Sequence, residues 1–484
     1  MPGAEPGPAF GKPLASRTTA IPGVLLFDLP VHGDNRGWFK ENWQREKMLA
    51  LGLPDFSPVQ NNISFNELAG TTRGIHAEPW DKFISVATGR VFGAWVDLRQ
   101  GPSFGSVFTA VLDASTAIFI PRGVGNAFQT LEDGTAYSYL VNAHWSAGAP
   151  YTFLNLADPT AAIDWPIPLD RAEMSEKDRD HPFLPQVVPM LPRKTLVLGA
   201  NGQLGLALRK IYVGDPTVEF ATRTELDLAG PAPFADTDFS AYGTIINAAA
   251  YTSVDAAETS AGRAAAWAVN ASAVAALAVH CTAHRITLVH ISSDYVFDGS
   301  VALHTEDEPL SPLGVYGQSK AAGDAAASTV PAHYIVRTSW VVGGGGNFVA
   351  TMASLAERGI SPRVVNDQHG RLTFTQDIAA AILHLLKTGA PHGTYNVSSS
   401  GPVQSWADIA ADVFELLGRP RSSVVGVGAA DYLAGRDSGA GGQEPTAPRP
   451  VHSALALEKI EATGFLAPPA AQRLAEYLRE RTRP

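Results

Sequence analysis

Between Ile21 and Asp164 the apolar residues fall in short runs, broken by turn residues about every ten positions. FISVA (83–87), VFGAWVDL (91–98), SVFTAVL (106–112), AIFIP (117–121) and AYSYLV (136–141) are examples. No long segment with a helical period lies between them. Regularly spaced short strands predict an antiparallel sandwich or barrel, of which the jelly roll is one form. PFLPQVVPMLPR (182–193) holds four prolines in twelve residues and predicts a stiff linker.

From Lys194 the pattern changes. TLVLG (195–199), VEFAT (218–222), TIINAAA (244–250) and TLVHISS (287–293) alternate with helical stretches, which predicts a parallel sheet with helices on both faces. The longest apolar run, Ala264 to Val279, is Ala-rich and interrupted by Asn270. It predicts a buried helix and not a membrane span. Ala434 to Pro448 reads as a Gly/Pro-rich loop and AAQRLAEYLRERTRP as a closing amphipathic helix. The expected division is a flexible tail over 1–18, a strand-rich domain over 19–181, the linker over 182–193 and an α/β domain over 194–484.

Composition narrows the classes. A length of 484 residues suggests two or three domains, and 45% hydrophobic with 17% charged residues is a globular balance. A net charge of −11 argues against a nucleic-acid or anionic-membrane partner, so an anionic substrate must meet local basic residues. The one cysteine, Cys281, excludes an intrachain disulfide and a cysteine zinc cluster, and fits a reducing cytoplasm. MPGAEPGPAFGKPLAS at the N-terminus has no apolar h-region and reads as a loose tail, not a signal peptide.

Candidate chemistry in the second half starts at KTLVLGANGQLG (194–205), where a strand runs into Gly199, Gly202 and Gly205 and then into LALRKIY. Such a turn lacks Cβ atoms so that backbone can approach a pyrophosphate resting on the helix N-terminus. In a chain with 45 glycines the match alone is weak; its place, nearly 200 residues in and between strand and helix, strengthens it. NAD-selective folds put an acidic residue about 20 positions beyond the turn. Thr222 and Arg223 stand there, with Asp227 later, so an Arg223 facing a 2′-phosphate predicts NADPH, with NADH the alternative. Tyr316-Gly-Gln-Ser-Lys320 sets a phenol and an ammonium on one helix face. The ammonium is expected to lower the phenol's pKa, as suits a proton donor to a carbonyl oxygen. Ser293 offers a hydroxyl at a strand's C-terminal edge, where open α/β sheets bind ligands.

In the first half, Arg73-Gly-Ile-His76 is followed by Lys82. A histidine flanked by two cations favours the neutral imidazole and can serve as a base. The H-x-H pair and partner histidine of a metal cupin are missing, so His144 and His181 read as surface residues and no metal is expected.

Motif by motif, residues 194–484 resemble the dTDP-4-dehydrorhamnose reductases of the extended short-chain dehydrogenase/reductase group. The matching text is GANGQLG (199–205), NAAAYTSVDAAE (247–258), Asn270, ISSDYVFDG (291–299), PLGVYGQSKAAGD (312–324), IVRTSWV (335–341), NFV (347–349), VVNDQHG (364–370) and RPVHSAL (449–455). The resemblance implies a Rossmann-type doubly wound sheet with a small C-terminal substrate region. It implies Ser293, Tyr316 and Lys320 as the catalytic triad, Tyr316 giving its proton to O4. Gly199, Asn201, Gly202, Gln203, Leu204, Gly205, Arg223, Asp227, Leu228, Ala248, Ala249, Ala250, Tyr251, Asn270, Tyr316 and Lys320 would hold the nicotinamide cofactor, and Trp340 and Arg449 the substrate. Ser293 stands where the family usually has Thr, and Leu372 where it has Pro.

The first half resembles dTDP-4-dehydrorhamnose 3,5-epimerases, metal-free jelly rolls of cupin-like form. GDNRGWFKE (33–41), QNNIS (60–64), RGIH (73–76), Lys82, VDLR (96–99), FGSV (104–107), FIPRGVGNAF (119–128), Tyr139, Asp164-Trp165-Pro166 and MSEKD (174–178) fall in family order. The resemblance implies His76 as base, Asp178 as its carboxylate partner, Tyr139 as the acid on the opposite sugar face and Lys82 as the stabiliser of an enolate at C4. Tyr137 shares that strand face and competes for the acid. Arg36, Glu41, Gln60, Asn62 and Arg73 would hold the nucleotide sugar. Asn126 replaces a usual His, Gly93 a usual Asp, and Ala77-Glu78 an aromatic–Gln pair.

Together these imply a cytoplasmic bifunctional enzyme. It would epimerise dTDP-4-dehydro-6-deoxy-glucose at C3 and C5, reduce C4 and dimerise through its jelly roll. Two alternatives stand beside it: epimerisation at one carbon, giving another 6-deoxyhexose nucleotide, and a reductase-like half acting as a non-catalytic regulatory subunit.

Overall fold

In the computed structural model, which describes residues 10–146, 148–437 and 445–481, the strands of the first unit pair antiparallel in a short hairpin, Val31–Asp34 with Gly37–Lys40, and in two large sheets. One runs Ala15–Thr18, Leu25–Asp28, Thr116–Ile120, Lys82–Thr88, Thr135–Val141, Gln60–Asn66 in spatial order. The other runs Thr152–Phe153, Thr72–Ala77, Val124–Thr130, Val91–Asp97, Val107–Leu112. Side chains alternate along a strand, so Val91 and Trp95 meet Ile84 and Ile118 between the sheets while Ala94 and Val96 face away. That outer face is itself covered, by Leu154, Trp165, Leu184 and Val187. Burial on both faces explains why VFGAWVDL reads as a run rather than an alternation.

Two boundaries differ from expectation. The tail expected over 1–18 is shorter, because Ala15–Thr18 pairs with Leu25–Asp28; residues 1–9 lie outside the described residues. The segment 182–193 is no free linker. Met190 N–H donates to Leu98 O at 2.8 Å and Gln100 N–H to Met190 O at 2.9 Å, and Leu184, Val187 and Met190 are buried. The prolines keep the segment extended, but the apolar residues between them gain more by covering the sheet than by staying in water.

Residues 193–484 form the second unit. Its parallel sheet has the order Val218–Ala221, Lys194–Leu198, Tyr242–Asn247, Thr287–Ser293, His333–Thr338, Gly393–Asn396. Val197 packs on one helical layer, Leu196 and Leu198 on the other. The chain enters at the second position, so the winding reverses between Lys194–Leu198 and Tyr242–Asn247. At such a switch point the loops after the two strands part and leave a crevice. Val342, Met352, Phe374, Ile409 and Leu474 make a further small core.

The helical stretch Ser260–His284 is, among the described residues, the one long and apolar enough to cross a membrane. Here Val274, Leu277 and Cys281 sit in the core of the second unit. The loop expected from Ala434 begins later, since Ala434 to Asp437 end the helix Ala429–Asp437. Residues 438–444, within that loop, and 482–484, at the end of the expected closing helix, lie outside the described residues.

Candidate active sites

In the first unit a cavity of about 1100 Å³ takes in Arg73, His76, Glu78, Lys82, Tyr139 and Asp178. His76 lies on Thr72–Ala77, flanked in register by Asn126 and Phe153. Asp178 sits in the helix Glu176–Arg179, whose cap Ser175 accepts the Asp178 N–H through Oγ at 3.1 Å. These elements bring His76 Nε2 to 2.8 Å from Asp178 Oδ1. Burial pushes the Asp178 carboxyl up, but the hydrogen bond and charge of His76, the Gly74 amide and His181 outweigh it and hold it below the usual carboxylate range. An ionised Asp178 accepts, so Nε2 carries the hydrogen and Nδ1 keeps the lone pair.

Two features correct the sequence reading. His76 is not flanked by two free cations: Lys82 is paired with Glu78, both buried, whereas Arg73, whose Nε–H donates to the neutral Asn66 Oδ1 at 3.1 Å, keeps its charge. Its ring neighbours are Phe153 and His181. His181 is therefore no surface residue. Its side chain is 10% exposed, with Nε2 3.8 Å from Asp178 Oδ1. His181 lies just past the end of the helix Glu176–Arg179, where the chain turns its side chain back toward Asp178, which a search for H-x-H does not detect. His144 is exposed, as expected.

Tyr137 and Tyr139 share a strand face, and burial separates them. Tyr137 is 1% exposed, donates its hydroxyl to Asn126 Oδ1 at 2.9 Å and is pushed far above the usual phenol range by burial. Tyr139 is half-buried, with Lys82 Nζ 5.2 Å from its ring centre; burial raises its phenol as well. Asn126 Oδ1 also accepts Trp95 Nε1–H at 2.9 Å. A Cβ on Gly93 would come within 2.3 Å of the Trp95 ring. The Gly93 and Asn126 departures are thus one packing arrangement around Trp95.

Gln60 and Asn62, joined at 2.7 Å, lie on the edge strand, Asn62 in register with Tyr139 and Gln60 with Val141. They do not line the cavity, nor do Arg36 and Glu41. Arg36 is exposed and bound to Asp34, and Glu41 pairs with Lys47 at 2.6 Å. Trp145, Tyr151, Phe153 and His181 also line this cavity without having been singled out from sequence; they come from the segment after Val141, including the short strand Thr152–Phe153, and from the turn after the helix Glu176–Arg179, which carry no local motif.

The second unit holds a cavity of about 890 Å³ over the switch point. Gly199, Gly202, Gln203, Leu204, Arg223, Asp227, Leu228, Ala248, Ala249, Ala250, Tyr251, Ser293, Tyr316, Lys320 and Trp340 all line it. The turn fits a pyrophosphate. Gly199 has φ +77° and no room for a Cβ, which would lie 2.7 Å from Ala249 Cα. Gly202 caps the helix Gln203–Ile211, whose first amides point outward. Gly205 and Asn270 support the cavity without lining it. A Cβ on Gly205 would fall 2.4 Å from Gly199 O. Asn270 clamps Tyr251 through both backbone groups, at 2.9 and 3.1 Å, and donates to Ser319 Oγ at 3.0 Å. Asn201 is exposed in the turn, and Arg449 is bound to Asp255 at 2.9 Å; neither lines the cavity.

Ser293 donates to Asp294 Oδ1 at 2.9 Å and accepts the Tyr295 N–H at 3.2 Å. The expected lowering of the phenol by Lys320 is absent. Burial pushes Tyr316 up to about 12, with the neighbouring Ser293 hydroxyl opposing. Burial lowers Lys320 to about 8, and its Nζ donates one of its hydrogens to Ile291 O at 2.5 Å, which ties the ammonium to the strand. Burial also pushes Asp294 up to about 6 and keeps His290, 3.5 Å from Lys320 Nζ, neutral. Trp406, stacked on Trp340 at 3.6 Å, lines the cavity from a helix with no motif of its own. Leu372 is buried in the small core and does not line the cavity.

Comparison with known proteins divides the chain at the same place. Residues 18–186 match the family described as dTDP-4-dehydrorhamnose 3,5-epimerase, and residues 193–483 the family described as RmlD substrate binding domain. The first half is similar to the Protein RmlC homolog of Streptococcus pyogenes, 53% identical over 192 residues, covering 38% of this chain and 96% of that one. The second is similar to the spore coat polysaccharide biosynthesis protein SpsK of Bacillus subtilis, 36% identical over 295 residues, covering 60% of this chain and 98% of that one. Among solved structures, the dTDP-4-dehydrorhamnose reductase of Bacillus anthracis in complex with NADP superposes with a TM-score of 0.51 at 29% identity, covering 60% of this chain and 99% of that one.

Proposed function

The chain belongs to the RmlD substrate binding domain family over residues 193–483 and to the dTDP-4-dehydrorhamnose 3,5-epimerase family over residues 18–186, and from that premise we infer that it performs two successive steps of dTDP-L-rhamnose synthesis. The observation that carries this reading is that the residues assigned as acid and base in each matched segment line one cavity of that segment. A second-half regulatory subunit would have no use for Ser293, Tyr316 and Lys320 converging in one cavity.

In the first cavity the substrate's C4 ketone acidifies the hydrogens at C3 and C5. His76, oriented by Asp178, takes one through Nδ1. Lys82 stabilises the enolate oxygen at C4, a charge that exists mainly along the reaction path. Tyr139 returns a proton on the opposite face, giving the inverted centre. Arg73, at the cavity wall, meets the nucleotide diphosphate. We read the fold of this half as a cupin-like jelly roll, and the small second core as the substrate region of the reductase.

In the second cavity the Gly199–Gly205 turn would hold the pyrophosphate of NADPH and Arg223 its 2′-phosphate, NADH being the weaker alternative, and the bound cofactor would supply the hydride for C4. Tyr316 protonates O4, Ser293 holding the phenol in place. Trp340, backed by Trp406, offers a flat wall to the sugar. The enzyme works in the cytoplasm, with neither nucleic acid nor membrane as partner. It dimerises through its first unit: the edge strand Gln60–Asn66 exposes Ile63 and Phe65, and Trp38 and Phe39 are exposed nearby in sequence. A second copy covering that face would bring Arg36, Glu41, Gln60 and Asn62 into service, and sedimentation of the pure protein tests it.

Product identification by NMR from dTDP-4-dehydro-6-deoxy-glucose and NADPH tests the whole reading. dTDP-L-rhamnose is expected. A product inverted at one carbon only would replace it with the single-carbon reading, and unconsumed NADPH would remove the reductase.

A further inference from the structure

We propose that His76, Asp178 and His181 form a site for a divalent transition-metal ion of the zinc type, and that filling it switches off the base of the first cavity. The second clause rests on His76 being that base; the first does not.

The donor atoms of the three side chains all lie within 4.8 Å of one another. His76 Nε2 is 2.8 Å and His181 Nε2 3.8 Å from Asp178 Oδ1. Three donors around tetrahedral zinc, each at about 2.0–2.2 Å, sit about 3.3–3.5 Å apart. One contact to Asp178 therefore opens by roughly half an ångström, the other closes by about as much, and the two imidazole nitrogens, within 4.8 Å of each other, close by up to about 1.5 Å, within the reach of side-chain torsions. Two imidazoles and a carboxylate favour zinc-like ions over Mg²⁺ or Ca²⁺, which take all-oxygen sets. The side chains of Asp178 and His181 are 8% and 10% exposed, while that of His76, at 34%, opens to the cavity. A water or a substrate oxygen can complete the coordination there.

The consequence for catalysis follows from the two ring nitrogens. The working tautomer has hydrogen on Nε2, donated to Asp178, and a lone pair on Nδ1. Zinc on Nε2 needs the lone pair at that atom, so the proton moves to Nδ1 and the carboxylate binds the metal instead. No proton is lost, yet Nδ1 becomes an N–H and cannot accept one from carbon. The metal thereby removes the base without having to block the substrate.

The test uses the full chain, stripped with a chelator and titrated with Zn²⁺ by calorimetry, with Co²⁺ absorption as a second readout. One tight site is expected, weakened about 100-fold or more in His181→Gln and again in His76→Gln. His280 and His284, four apart on the helix Ala273–His284, are another pair able to hold zinc, so His284→Gln is the control and should keep the tight site. Deuterium wash-in from D₂O into the 4-keto sugar nucleotide should fall in step with zinc occupancy, return with chelator and ignore Mg²⁺. It should resist zinc in His181→Gln, measured against that variant's own metal-free rate. Tight zinc binding unchanged in His181→Gln overturns the site. Equal zinc inhibition of wild type and His181→Gln, or inhibition seen only as a raised KM, overturns the switch. A metal-free protein with no wash-in at all would fail the base assignment, while calorimetry still decides the metal site.

Discussion

His76 Nε2 and Asp178 Oδ1 stand 2.8 Å apart although 102 residues separate them in the chain. The contact sets the tautomer, leaving the Nδ1 lone pair free. Asp178→Asn should therefore slow deuterium wash-in at both C3 and C5 by about 10²–10⁴-fold, the scale of a misoriented or wrongly protonated general base. Wash-in within a few-fold of wild type would show that the imidazole needs no such partner.

Tyr139 and Tyr137 should separate cleanly. Tyr139→Phe should leave proton abstraction by His76 running while delivery to the other face fails, so deuterium enters without inversion. Tyr137→Phe should keep inversion and lower stability by about 1–3 kcal/mol, since it removes one of two donors from the buried Asn126 oxygen. NMR of the sugar decides between them, and the opposite pattern would exchange their roles.

Tyr316→Phe should lower kcat for ketone reduction by about 10²–10⁴-fold. NADPH binding, followed by quenching of protein fluorescence, should hardly change, because the glycine turn is untouched. Near-normal turnover would remove Tyr316 as proton donor.

Arg223 Nε lies 3.4 Å from Asp227 Oδ1, with the two side chains 82% and 49% exposed. So exposed a pair holds the guanidinium weakly and leaves it able to turn to a 2′-phosphate. Arg223→Ala should cut the NADPH-to-NADH ratio of kcat/KM by about 10–100-fold, the worth of a charge-assisted hydrogen bond. An unchanged ratio would mean that another residue reads the phosphate.

Burial pushes the Asp294 carboxyl up to about 6, above the roughly 3.9 of an unfolded chain. The folded state therefore holds the proton more tightly, and ionisation costs stability as pH rises from about 4 to about 6, reaching about 3 kcal/mol and staying level above. Asp294→Asn, whose amide oxygen can still accept from Ser293, should be more stable than wild type at pH 7.5, and the gap should shrink at pH 5. A gap independent of pH in chemical denaturation would show that Asp294 is ionised normally.

The sequence by itself determined what depends on neighbours along the chain. Period-two runs such as AYSYLV, the strand–glycine–helix order at TLVLGANGQLG and the four-residue step from Tyr316 to Lys320 are local regularities, and each sits where its pattern placed it. Resemblance then carried His76, Asp178 and Tyr139 into one cavity. What the tertiary structure alone decided are quantities set by packing. Tyr137 and Tyr139 are equivalent by strand period, and only depth of burial tells them apart. Gly93 and Asn126 look like two unrelated departures until Trp95 is seen between them. Lys320 was expected to lower the Tyr316 phenol, but burial lowered its own pKa instead and pushed the phenol up. His181 lacked any local motif because, although Asp178 is three residues away, His76 arrives from a strand about a hundred residues earlier. Spacing specifies direction along one element; proximity between elements, and the desolvation that shifts a pKa, exist only once the chain has folded.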